Sequence, residues 1–157
     1  MATREGTRPL LVEVQALVDD SHGQQARRVV IGLEQNRINM LLAVLQRHGG
    51  VSMFDQDVFI NVVGGMKITE TGADLAMILA ALSSLRNKPH PSDLIVFGEI
   101  GLAGEISPVP NGEERLKEAT KHGYKCAIIP NGNIPQKGIP GMKIMTAQRL
   151  EDALDYL

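Results

Sequence analysis

Residues 57–63, DVFINVV, set the tightest condition on what this chain can become. Val58, Ile60 and Val62 alternate with Phe59, Asn61 and Val63, so a strand built from them is apolar on both faces, and Gly64-Gly65 ends it. Such a strand is stable when both faces are covered, which predicts a layered domain in which helices or a second sheet lie on either side of it.

The remaining periodicities supply those layers. Over residues 34–48 the spacing turns helical, with Ile38, Leu41, Leu42 and Leu45 at i, i+3, i+4 and i+7 before Gly49-Gly50. A second helix is predicted over 71–86, where Leu75, Ile78, Leu79, Leu82 and Leu85 form a stripe and Ala73, Ala76, Ala80 and Ala81 permit close packing beside it. Asn111 followed by Glu114 reads as a capping box opening a third helix, closed by Lys121, His122 and Gly123. Thr146 reads as the cap of a last helix bearing Leu150, Leu154 and Leu157. Strands are predicted over 9–18, 28–31, 94–97, 126–129 and 143–145, with a further strand after the three-glycine reversal at 98–106. The order β-β-α-β-α-β-β-α-β-β-α, without repeats, predicts an α/β (α+β) fold with a mixed sheet.

Size and charge narrow the function classes. At 157 residues and 43% apolar content the chain fits one domain with a sizeable core. Its apolar runs are far shorter than the ~20 residues that span a bilayer, and residues 1–6 lack the apolar core of a signal peptide, so a leader or linker remnant and a cytoplasmic location are expected, with no membrane partner. Net charge is −2 with both signs interspersed, which excludes a strong general polyanion binder; a nucleic-acid contact would need a local basic patch. With 3% aromatic residues and no tryptophan, that contact would be to backbone phosphates and not to stacked bases. The single cysteine, Cys126, reads as a small buried apolar residue. His22, His48, His90 and His122 show no H-x-x-x-H spacing, so no metal site is expected.

Three stretches together cover most of the chain: EGTRPLLVEVQALVD, DVFINVVGGMKITETGADLAMILAALSSL, and VFGEIGLAGEISPVPNGEERLKEA followed by CAIIP. They resemble the C-terminal Lon-protease-like domain of bacterial RadA/Sms DNA-repair proteins, and the last of them also resembles the Lon peptidase domain. The resemblance implies a Lon peptidase domain-like, ribosomal-protein-S5-domain-2-like fold over residues 7–157. It also implies a parent protein with a zinc finger and a RecA-like ATPase core, and hence ATP, Mg and Zn. This sequence holds one cysteine and no G-x-x-x-x-G-K-[ST] loop, so no cofactor is expected in this domain.

A Lon-type peptidase needs a serine at the start of the second helix and a lysine on the third, the neutral amine taking the hydroxyl proton. The resemblance places the serine position on Gly72, or on Ala73 with a one-residue slip, and the lysine position on Glu113, or on Glu114. Both halves of the dyad are therefore missing, and the domain is expected not to be an enzyme. The rival is a peptidase with a repositioned nucleophile, Thr71, and Lys67 or Lys117 as base. Blander readings fit the other candidates. Ser83 and Ser84 bond back to helix carbonyls, Lys117 pairs with Glu113 at i,i+4, Glu99 and Glu105 flank a solvated turn, and Gly64-Gly65-Met66-Lys67 is a strand-ending turn without the Ser or Thr of a phosphate loop.

By the same resemblance the domain is expected to scaffold a homo-hexamer, contribute to duplex DNA binding, and work beside RecA in recombination and branch migration. The candidate phosphate contacts are Arg27, Arg28, Lys67, Arg86 and Lys88.

Overall fold

The structure, a computed structural model, describes residues 1–5 and 8–157, the side chains of 4 and 5 excepted. Strand β1 (Ala2–Glu5) pairs antiparallel with β2 (Arg8–Leu11). β3 (Val14–Asp20), β4 (Arg28–Ile31) and β5 (Gln56–Val62) form a mixed sheet in the order β3-β5-β4, with β3 antiparallel and β4 parallel to β5. Helix α1 (Gln35–Gly49) lies between β4 and β5 in sequence, and α2 (Asp74–Arg86) follows a 3-10 turn, Thr71–Ala73. β6 (Leu94–Val96), β9 (Cys126–Pro130) and β10 (Lys143–Ala147) make a second, wholly parallel sheet in the order β10-β9-β6. A short ribbon of β7 (Glu99–Ile100) and β8 (Ile106–Ser107), then α3 (Gly112–Lys121) and α4 (Leu150–Leu154), complete the chain.

Two apolar clusters hold these layers. The larger joins the inner face of the mixed sheet (Val58, Ile60, Val62) to α1 and α2 and continues to Val96 and Ile128 on one face of the parallel sheet. The smaller packs Leu116 and Ala119 of α3 against Ile95, Phe97, Ala127 and Ile129 on its other face. The parallel sheet is thus covered on both sides, as parallel sheets require.

The mixed sheet is not. In β5 the even residues are buried, at 1% (Val58), 2% (Ile60) and 1% (Val62), but Asn61 and Val63 are exposed and Phe59 is half-buried. Two-sided cover, expected from the sequence, is absent among the described residues. The outer face instead exposes Leu17 and Ile31 at 59% each.

Other expectations change for local reasons. Residues 9–18 form two strands and not one, because the chain steps at Val12-Glu13 from the partner β1 to the partner β5. Where a polar leader was expected, Ala2–Glu5 is a strand, and Met1, Ala2 and Thr3 are buried; the expected boundary between residues 6 and 7 lies outside the described residues. Asn111 sits in the left-handed region (φ 61) and its side chain makes no cap bond, so the capping box fails. Thr146 lies inside β10, and α4 is instead opened by Asp152, whose carboxylate accepts the N–H groups of Gln148 and Arg149 at 3.0 and 2.9 Å. Ser83 donates forward to Lys88 O at 2.6 Å, and Ser84 Oγ accepts the Val18 N–H at 2.8 Å, sealing one outward donor of edge strand β3.

Candidate functional site

The start of α2 is stitched to the glycine reversal. Gly98 N–H donates to Gly72 O (2.9 Å), Leu75 N–H to Gly98 O (3.1 Å), and Ile100 N–H to Asp74 Oδ2 (3.0 Å). Leu75, in the first turn of α2, therefore spends its amide on a carbonyl of the same chain. Asp74 is fully buried and is held by Arg37, whose Nε lies 2.9 Å from Oδ1 and whose second nitrogen bonds Oδ2. Burial raises the Asp74 carboxyl above its ordinary range, opposed by the Arg37 and Ile100 hydrogen bonds.

Gly72 is buried against Val109 and Glu70; a Cβ there would lie 3.1 Å from Val109 Cγ1 and 3.5 Å from the Glu70 carboxylate. That carboxylate is bidentate with Arg115, at 2.7 and 2.8 Å, and accepts the Thr3 hydroxyl at 2.6 Å. Arg115 is completely buried, donates further to Ala2 O (2.9 Å) and Pro110 O (3.0 Å), and lies 5.7 Å from the centre of the Phe97 ring. The neighbourhood of the expected serine is thus filled by a carboxylate and a guanidinium clamped together. A guanidinium cannot take a hydroxyl proton as a neutral amine does.

Glu113 and Glu114, the expected lysine positions, are exposed on α3, and Glu113 pairs with Lys117 at 3.0 Å as its i,i+4 spacing implied. From α3 it is Arg115 that reaches inward. Gly112, Arg115, Leu116 and Ala119 form the buried stripe of this helix at i, i+3, i+4 and i+7. That charged member of an apolar stripe is the signal sequence reading missed, together with Glu70 and Thr3. Thr71 is exposed, and among the described residues no hydrogen bond joins it to Lys67 or Lys117. Glu105 folds over Gly101, where a methyl group would strike its carboxylate, so this side chain is half-buried and not simply solvated. Cys126 is half-buried, and burial, followed by Asp93, pushes its thiol up, away from the reactive thiolate.

The five basic candidates fall into two groups. Arg28 spends its guanidinium on chain carbonyls, with Met53 O at 2.8 Å and Gln56 O closer still. Arg27, 69% exposed in its side chain, leans on Asp57 at 3.3 Å and stacks 5.3 Å above the Phe59 ring centre. Lys67, Arg86 and Lys88 are exposed. Lys88 and Phe59 line one open groove of about 700 Å³ over the outer face of the mixed sheet, so Arg27 and Lys88 border the same depression. Arg86 shares a smaller cleft with Lys88, Tyr156 and Leu157, while Lys67 precedes Ile68, whose N–H bonds Gly32 O at 2.7 Å near the end of β4.

A family model described as subunit ChlI of Mg-chelatase matches residues 13–133. The chain belongs to this family. Curated proteins named DNA repair protein RadA are among those it resembles. The relative from Pseudomonas aeruginosa is 62% identical over 157 residues, all of this chain and 35% of that protein. Those from Escherichia coli (63% over 154 residues) and Bacillus subtilis (39% over 155 residues) each match 98% of this chain and 34% of their own length. The chain therefore spans about a third of the relatives it matches, and its likeness to a RadA piece runs through the Glu70–Arg115 region. Among the described residues no helix is long and apolar enough to cross a membrane, and no group of three or more His, Cys, Asp and Glu side chains is placed to hold a metal ion.

Proposed function

We propose that this chain is a non-catalytic, Lon-like scaffold domain of a RadA-type DNA-repair protein, one that supports hexamer assembly and contributes to duplex DNA binding in recombination and branch migration. The observation that carries the reading is the clamp at the degenerate dyad. Where a peptidase of this fold would need a hydroxyl facing an amine, Gly72 lies against a Glu70 carboxylate held by Arg115. What remains is a folded body with basic residues at its surface.

Lys67, Arg86 and Lys88 supply exposed charge for phosphates and Arg27 extends it, while Arg28 contributes by fixing the carbonyls around β5. A single copy at net charge −2 binds weakly; a hexamer presents each patch six times at high effective concentration. ATP, Mg and Zn belong to other parts of the parent protein, RecA is the partner recombinase, and the setting is the cytoplasm. The test is a duplex titration of the parent ring over a salt series. Lys67→Ala, Arg86→Ala and Lys88→Ala together are expected to weaken binding and to flatten the salt slope by about one unit per lost phosphate contact. An unchanged affinity and slope removes these residues from the DNA surface.

A further inference from the structure

We propose that the outer face of the β3-β5-β4 sheet docks on the same face of a second copy of this chain, about a two-fold axis parallel to β5. The first ground is the mismatch between sequence and monomer. The sequence predicts cover on both faces of residues 57–63, yet the fold covers one, leaving Leu17 and Ile31 at 59% exposure and Val29 and Val63 at 39% around the half-buried Phe59 ring, with Asn61 a polar member of the face. Scattered apolar residues on a surface need no explanation, but a contiguous patch spanning three strands marks an interaction site.

The second ground is the arrangement of charge across that face, which the strand register fixes. Leu17, Phe59 and Val29 form one row, and Gln15, Asn61 and Ile31 form the next. Asp19 is opposite Asp57, whose carboxylate accepts the Arg27 N–H at 2.7 Å, so Asp19, Asp57 and Arg27 close one end. Glu13 shares the face, since its carboxylate accepts from the Gln15 side chain at 3.0 Å. The β3 side thus carries acids on this face (Glu13, Asp19), with Lys88 standing beyond it just past the end of α2, and the β4 border carries Arg27.

Two in-plane axes bring such faces together with their strands aligned. An axis perpendicular to the strands through the Leu17-Phe59-Val29 row lays β3 on β3 in reverse, setting Asp19 of one copy over Gln15 of the other and leaving Arg27 over apolar Ile31. An axis along β5 lays β3 on β4. Asp19 then meets Arg27, Leu17 meets Val29, and Phe59 meets Phe59. The second axis alone pairs opposite charges, and it yields the near-aligned packing of two sheets about 10 Å apart with a self-complementary patch. A patch of several hundred Å² is smaller than the ~800 Å² per partner of a standard interface, so the dimer is weak and concentration-dependent. The pairing does not rest on the DNA reading and is compatible with rings formed through other surfaces.

Sedimentation velocity on the 157-residue chain over a concentration series is the first measurement, with Leu17→Glu/Ile31→Glu as the variant. Both sites are on the surface, and an unchanged melting temperature shows that the fold survives. Self-association of the native chain, weakened at least tenfold in the variant, supports the face. A monomer at every concentration, or association the variant leaves intact, overturns it; in the latter case a ring persisting with the face altered leaves the scaffold reading standing. The axis is read by mixing L17C and V29C chains, each also carrying Cys126→Ala, with a bis-maleimide spanning ~10 Å. Predominant 17–29 cross-links support the axis along β5, whereas predominant 17–17 cross-links in the L17C chain alone contradict it. Strong association seen only with the remaining two thirds of the parent protein would assign the face to another domain and refute the pairing.

Discussion

Replacing Arg115 by alanine is the most informative single change to the fold. The side chain is fully buried and makes four hydrogen bonds, two to the Glu70 carboxylate and one each to Ala2 O and Pro110 O. Removing one partner of a buried ion pair costs about 3–5 kcal/mol, because the other charge is left behind without its counter-ion. Here Glu70 is 22% exposed and can partly rehydrate, which favours the lower end of that range. At roughly 2–4 °C per kcal/mol for a domain of this size, the melting temperature is expected to fall by about 6–16 °C. Urea unfolding followed by circular dichroism gives the free energy directly. A double-mutant cycle with Glu70→Ala should return a large coupling, the double variant losing well under the sum of the singles because no charge is then stranded. Arg115→Ala within about 0.5 kcal/mol of the native chain, the usual range for surface substitutions away from special features, would refute the argument that this clamp holds β1, α3 and the approach to α2 together.

Four further outcomes follow from the same geometry. Gly32→Ala should destabilise by more than about 2 kcal/mol in urea unfolding, since Gly32 has φ +88° and a Cβ would fall 2.8 Å from Met66 O and 2.7 Å from Val62 Cβ. Ser84→Ala should cost about 1–3 kcal/mol by the same assay, because it strands the Val18 N–H that Ser84 Oγ accepts. Asp57 is held below its ordinary value of 3.8, first by the Arg27 backbone N–H, so its contribution is present above that pH and is lost as pH falls through the lowered value. Acid unfolding of Asp57→Asn should lack that loss. Asp74, raised by burial, works in the opposite sense: stability decreases as pH rises through the interval above 3.8, and Asp74→Asn should remove that decrease.

Much of the fold was legible because its periods are strong. α1 and α2 stand where the 3.6-residue stripes put them, and Gly50 closes α1 in the left-handed region with its N–H on Leu45 O. The alternation in β5 located the strand but misjudged its cover, because periodicity reports which faces are apolar and not what lies over them. Local cap signals failed where longer-range pairing won, as at Thr146, which the register with Ile129 keeps in β10. At the candidate site, Gly72 and Glu113 mark where the resemblance puts the dyad, but the residues gathered around Gly72 come from β1, the turn before α2, and α3. Only folding brings Thr3, Glu70 and Arg115 together, and the one local hint was a charge on the apolar stripe of α3.

Peptide-bond turnover tests the central claim most directly. The 157-residue chain, incubated with unfolded casein and with a fluorogenic peptide, is expected to release product no faster than buffer, and Gly72→Ser is expected to gain nothing because the adjacent Glu70 carboxylate is held by the Arg115 guanidinium, which cannot take a hydroxyl proton. Turnover by the native chain that Thr71→Ala abolishes would contradict the account and restore a peptidase to this fold.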